Sequence, residues 1–113
     1  MTTFISLAIS DTMFPDTAEL SKKSIAPEYV CDVLANGGLV SALNPGHAST
    51  IDVIQRKYGF QLPIPERAPK VVLVSGDSLI VLQAQLPRLA EGEKHSQETV
   101  EKAAIKFSMW QVK

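Results

Sequence analysis

LVSALNPGHASTIDVIQRKYG, residues 39–59, is the stretch that sets the architecture. Residues 39–43 form a short apolar run and read as a strand leading directly into Asn44. Asn44 is a good helix N-cap, and Pro45 suits the first helical position because it has no amide hydrogen to leave unpaired. Ile51, Val53, Ile54 and Tyr58 extend an apolar stripe, which Gly59 closes. A strand that passes through a tight turn into a helix is a building unit of sheet-and-helix proteins. The same turn sets Gly46 and His47 where free backbone N–H groups meet the positive end of the helix dipole, an arrangement suited to an anion. Gly46 there would let a ligand approach the backbone closely.

Upstream, residues 4–9 read as a strand with Ile5, Leu7 and Ile9 on one face. Ser10-Asp11-Thr12 breaks it as a polar loop, Pro15-Asp16 signals a turn, and residues 20–25 suggest a short second strand containing Lys22 and Lys23. Pro27 opens a helix whose stripe is Tyr29, Val30, Val33 and Leu34 and whose stop is Gly37-Gly38. The polar stretch 10–23, interrupted by Pro15, is a candidate lid over a ligand. Downstream, FQLPIPERAP (60–69) is a proline-rich connection. Residues 71–74 and 79–86 read as two strands joined by a Ser75-Gly76-Asp77-Ser78 hairpin turn, both apolar enough at their turn ends to be buried on two faces. Pro87 stops the second, and Arg88 to Gly92 follow as a loop. Ser96 caps a short helix through Ala104, and Ile105, Phe107 and Met109 alternate along a last strand that includes Trp110. The order β-(β)-α-β-α-β-β-α-β predicts one domain over residues 1–113, of the α/β (α+β) class, with a mixed sheet and flanking helices.

The chain of 113 residues is 45% hydrophobic and 20% charged, with a net charge of −1. That is an ordinary globular composition with a single modest core. No general basic surface suits duplex nucleic acid or an acidic membrane, so any anion must be held by a local cluster. Cys31 is the lone cysteine, which rules out an internal disulfide and suggests a small buried apolar residue in a reducing compartment. The first ten residues lack a basic segment and a long apolar run, so neither a signal peptide nor a membrane span is expected, and a cytoplasmic location is.

Two histidines and one cysteine at unrelated spacings make no zinc motif, and neither a Walker lysine loop nor a dinucleotide glycine fingerprint is present. The parts available for metal-free chemistry on an anionic ligand are His47, Arg67, Arg88, Glu91 and Ser10. Each has a plainer role. A histidine at a helix start is ordinarily a surface or capping residue, loop arginines are ordinarily solvated, and Glu91 and Ser10 sit where turns form. His95 reads as an exposed residue of a polar loop. Residue types and spacing stop at a small α/β domain with a candidate anion site.

The run SALNPGHASTIDVI, the segment ERAPKVVLVSGDSLIVLQAQLPRLAEGE and the terminal IKFSMWQV resemble the viral ring nucleases that act as type III anti-CRISPR proteins. The matching features are Gly-His-x-x-Thr at a helix start (Gly46, His47, Thr50), Arg67 before the expected hairpin and Arg88-x-x-Glu91-Gly92 after it. That family consists of small homodimers with a mixed sheet that bind cyclic tetra-adenylate across the dimer interface and cleave it without metal or cofactor. The resemblance implies His47 as general acid, Arg88 as stabiliser of the transition state and Glu91 as its nearby carboxylate. It implies Arg67 and Ser10 as ligand contacts, with Gly46 and Thr50 completing the helix-start motif. Two departures bear on ligand contact. Leu7-Ala8 stands where the family usually has an asparagine, and Pro87 where it often has a glutamine.

The chemistry needs no metal if a ribose 2′-hydroxyl attacks its own adjacent phosphorus. The protein must then align that oxygen with the departing 5′-oxygen, protonate the latter and stabilise charge on phosphorus. Bound phosphates favour the protonated imidazole that this requires. One site per chain and a ligand of four repeated units suit a two-fold dimer, which would also double Arg67 and Arg88 around one pocket. The resemblance thus leads to a ring nuclease for cyclic oligoadenylate with linear 2′,3′-cyclic phosphate products. The alternatives are a non-catalytic sponge for the same ligand and a structural dimer in which His47 is merely a cap.

Overall fold

Four strands run in one direction and a fifth runs against them, in the order β2-β5-β4-β1-β3. They are β1 (Thr3–Ser6), β2 (Leu20–Ser24), β3 (Leu39–Ser41), β4 (Ser78–Gln85) and the reversed β5 (Ala104–Val112). The computed structural model describes residues 2–37, 39–67, 69–86 and 96–113. Among the described residues three α-helices accompany the sheet: α1 (Pro27–Asn36), α2 (Ala48–Tyr58) and α3 (Gln97–Lys102). The expected mixed α+β sheet is therefore present, with one strand fewer than anticipated.

The missing strand belonged to the expected hairpin. Residues 71–74 join no ladder, and β4 pairs with β1 and β5 instead. The turn itself forms, since the Asp77 amide donates to the Val74 carbonyl at 3.0 Å and Gly76 takes a φ of 94°. Its carboxylate, however, accepts the Val74 amide at 3.0 Å, while the Leu73 amide is taken by Met13. Val71 and Leu73 are buried, and Val72 and Val74 are 54% and 57% exposed, so the segment is a cover over the sheet rather than part of it.

The apolar run of β4 explains its central place. Ile80 and Leu82 point into the core beneath the helices, with Ile5, Val30, Ile51, Ile54 and Phe107, whereas Leu79 and Val81 face Ala42, Val71, Leu73 and Val112 on the other side. Alternate residues thus bury opposite faces of one strand. In α1, Val30 is fully buried, and Val33 and Leu34 pack partly against the same core. Cys31 is exposed, contrary to expectation. It lies about 100° round the helix from Val30, which rotates it off the narrow buried face. The α2 stripe holds as read, with Ile51, Val53 and Ile54 fully buried and Gly59 closing the helix at φ 74°. Ser96 caps α3 by accepting the Thr99 amide, and Val100 and Ala103 pack on Val53. That helix ends at Lys102, so β5 begins at Ala104 where more helix was expected. Among the described residues no helix is long and apolar enough to cross a membrane.

Candidate functional site

Parallel strands discharge their chains at one edge of a sheet, and three of these strands lead into candidate residues. β1 ends at Ser6, four residues before Ser10; β3 ends at Ser41, six before His47; β4 ends at Gln85, three before Arg88. Serines bend the first two chains out of the sheet in the same way. Ser6 Oγ accepts the Ala8 amide, and Ser41 Oγ accepts the Leu43 amide, each at 3.3 Å. A backbone bond from the Ala42 amide to the Ile5 carbonyl, 2.8 Å long, keeps these two exits side by side.

Beyond β3 the chain forms a 3-10 turn, Pro45–His47, before α2 begins at Ala48. Asn44 caps that turn, its Oδ1 accepting the Gly46 amide at 2.8 Å and its carbonyl accepting the His47 amide at 2.9 Å. The two amides that the sequence offered to an anion are thus already engaged, and His47 is itself the N-cap residue of α2 without a side-chain bond. The glycine serves this turn as well as any ligand. A Cβ at Gly46 would stand 3.1 Å from Asn44 Oδ1, closer than most real contacts. His47 is exposed, and Thr50 is half-buried in the first turn of α2.

Ser10 has a local task. Its Oγ accepts the Thr12 amide at 3.4 Å and lies 3.0 Å from Thr12 Oγ1, capping a 3-10 turn over Asp11–Met13. The stretch expected as a lid is therefore partly regular, since residues 20–23 belong to edge strand β2. Arg67 is exposed in the irregular segment after α2. Two tethers that residue patterns did not reveal guide this segment: Ser41 Oγ donates to the Pro63 carbonyl, and Gln55 Oε1 accepts the Leu62 amide at 2.9 Å. Val71, further along, joins the core cluster of Ala42. The span carrying Arg67 is thus attached on both sides to the exit of β3. Arg88, Glu91, Pro87 and His95 lie outside the described residues.

Anchors flank the segment that contains Arg88 and Glu91. Leu86 packs against Val53, Val100 and Ala103, and Ser96 begins α3. Lys57 Nζ, on α2, donates to the carbonyls of Val100 at 3.3 Å and Glu101 at 2.8 Å. The helix that starts beside His47 is therefore fastened to the helix that follows the arginine segment. Among the described residues this end of the sheet carries the exposed His47 and Ser10, with the span of the exposed Arg67 tethered beside the exit of β3. Among the described residues no three His, Cys, Asp or Glu side chains group as metal ligands would.

Over residues 6–109 the chain matches the family model described as STIV B116-like. Among solved structures, B116 of Sulfolobus turreted icosahedral virus superposes with a TM-score of 0.73, covering 98% of this chain and 99% of that one at 24% identity. At that identity the likeness is one of fold. No curated protein sequence matches the chain.

Proposed function

The chain belongs to the STIV B116-like family, and from that premise we propose that it is a viral, metal-independent ring nuclease. Its substrate would be a cyclic oligoadenylate, the tetramer first, cleaved to linear products ending in 2′,3′-cyclic phosphate, which would switch off type III CRISPR signalling. The observation that carries this reading is the pair of adjacent exits of β1 and β3, held side by side by the bond from the Ala42 amide to the Ile5 carbonyl, which release the segments bearing Ser10 and His47 at one end of the sheet. In the reaction the 2′-oxygen releases its proton to solvent and bonds to phosphorus, the bond from phosphorus to the 5′-oxygen breaks, and His47 protonates that leaving oxygen. A positioned acid is worth typically about 10²–10⁴-fold. On this reading Arg88 stabilises charge on the phosphoryl oxygens, Glu91 is its carboxylate counterpart by resemblance, and Arg67, Ser10, Gly46 and Thr50 contact the ligand. A homodimer places two such edges about one ring, and the exposed position of His47 is compatible with a site completed by a second copy.

The test is incubation of the pure protein with labelled cyclic tetra-adenylate in EDTA. Cleavage that His47→Ala lowers by about 10²-fold or more supports the assignment. Tight binding of intact ligand makes the protein a sponge. Absence of binding removes the nucleotide altogether and leaves a structural role.

A further inference from the structure

At the end of the sheet opposite to the His47 edge, one face carries a row of polar residues across four strands. Register pairs Ser21 of β2 with Gln111 of β5, Gln111 with Ser78 of β4, and Ser78 with Thr3 of β1. Paired residues share a face, and this is the face on which Ile5, Ile80 and Met109 meet the helices further up. Here α1 leaves it uncovered. The result is a cleft of about 390 Å³ lined by this row together with Lys22, Lys23, Tyr29 and Met109. Its size falls in the range of small-ligand pockets.

Within the described residues, none of the side chains of Thr3, Ser21, Lys23, Ser78 and Gln111 forms a hydrogen bond to the rest of the chain. Thr3, Ser21 and Ser78 are half-buried there with hydroxyls that no protein group engages, and Lys23 and Gln111 stand exposed beside them, so the cleft offers a row of uncommitted polar groups to an outside partner. Lys23 shares the face of the cleft through its pairing with Met109, whereas the Lys22 side chain lies on the other face with Trp110, and no carboxylate lines the cleft. Lys22 Nζ lies 5.4 Å from the Trp110 ring centroid, which leaves Lys23 as the cation available to a ligand. Tyr29, 43% exposed at the rim, and Met109 supply flat and polarisable surface. Gln111 offers a donor and an acceptor on one amide, the pair that can bind a purine edge, and the hydroxyls suit a ribose.

We propose that this cleft is a second binding site, for a phosphorylated nucleoside, independent of the chemistry at the His47 edge. Lys23 takes the phosphate, Tyr29 the face of the base and Gln111 its edge. The proposal is one of binding alone.

The experiment titrates the full chain with adenosine 5′-monophosphate, adenosine and inorganic phosphate, following amide NMR shifts of Ser21, Tyr29, Ser78 and Gln111. Saturable shifts with the monophosphate, weakened about tenfold by Lys23→Ala and by Tyr29→Ala, uphold the site. Both side chains are exposed, and the remaining spectrum reports whether each variant keeps its fold. The proposal is overturned if these amides show no saturable shift, if neither variant weakens binding, or if phosphate alone binds as tightly as the nucleotide. Shifts confined to the His47 turn likewise overturn it while leaving the ring-nuclease reading untouched.

Discussion

Asp77 reaches across 75 residues of sequence to accept the Thr2 amide at 3.0 Å, and its other carboxylate oxygen takes the Val74 amide at the same distance. The turn before β4 and the start of β1 are thereby held by one buried side chain. The Val74 bond, then the Thr2 bond, lowers its pKa below the ordinary carboxylate value. A carboxylate lowered in the folded state contributes stability above its unfolded pKa of about 3.9, and loses it as pH falls through the lower folded value. Asp77→Ala is therefore expected to reduce the Tm most at neutral pH, with the gap to the parent closing as the pH drops below about 4. A gap that stays constant from neutral to strongly acid pH would contradict the role of the ionised group.

Phe107 joins two other rings on the helix side of the sheet. Its ring meets Tyr58 edge-on at 5.1 Å and Phe60 at 6.2 Å, while Tyr58 and Phe60 stack at 5.5 Å. Pairs of this geometry add to the apolar area they bury. Phe107 lies opposite Leu82 in the β4–β5 ladder, so truncation opens a cavity between the sheet and the end of α2. Phe107→Ala should cost about 3–5 kcal/mol in urea unfolding, and Phe107→Leu clearly less. Equal costs would show that the ring geometry contributes little.

The elements legible in the sequence were those whose signals are local. Pro27 and Gly37 bracket α1, Gly59 ends α2, and Ser96 caps α3, each by a bond or dihedral confined to a few residues. The hairpin misled because its turn residues are genuine while its partner strand is not. β4 pairs in parallel with β1, and no local pattern announces a partner more than 70 residues away. The alternating exposure of Val71 to Val74 was hidden because all four residues are apolar. At the candidate site, Gly46, His47 and Thr50 stood out by type and spacing. The engagement of the Gly46 amide by Asn44, and the tether from Ser41 to Pro63, depend on side-chain direction and on chain return.

Lys57 provides a test of how α3 is held. A helix of six residues is far too short to persist alone, and its last carbonyls lack partners within the helix. The Lys57 ammonium supplies two of those partners from α2. Lys57→Met keeps the aliphatic stem and removes the donors, and should cost about 1 kcal/mol. Amide exchange should rise in α3 more than in β4 or β5. Exchange that rises uniformly would mean that the bonds stabilise the whole domain rather than fastening this helix.

Asn44 separates the folding of the site from its charge. Its Oδ1 organises the turn in front of His47 by accepting the Gly46 amide. Asn44→Ala removes that acceptor and should cost about 1 kcal/mol of stability; under the proposed ring-nuclease activity it should also lower kcat, because the turn that carries the imidazole loses its cap. Asn44→Asp keeps an acceptor in place, so stability should change by only a few tenths of a kcal/mol. If the proposed ring nuclease holds a ligand phosphate here, the added negative charge should raise KM severalfold, less so as added salt screens the repulsion. If the aspartate variant binds the ring as well as the parent at low salt, the ligand phosphates do not sit at this turn. His47 would then be left as a capping residue at the start of α2.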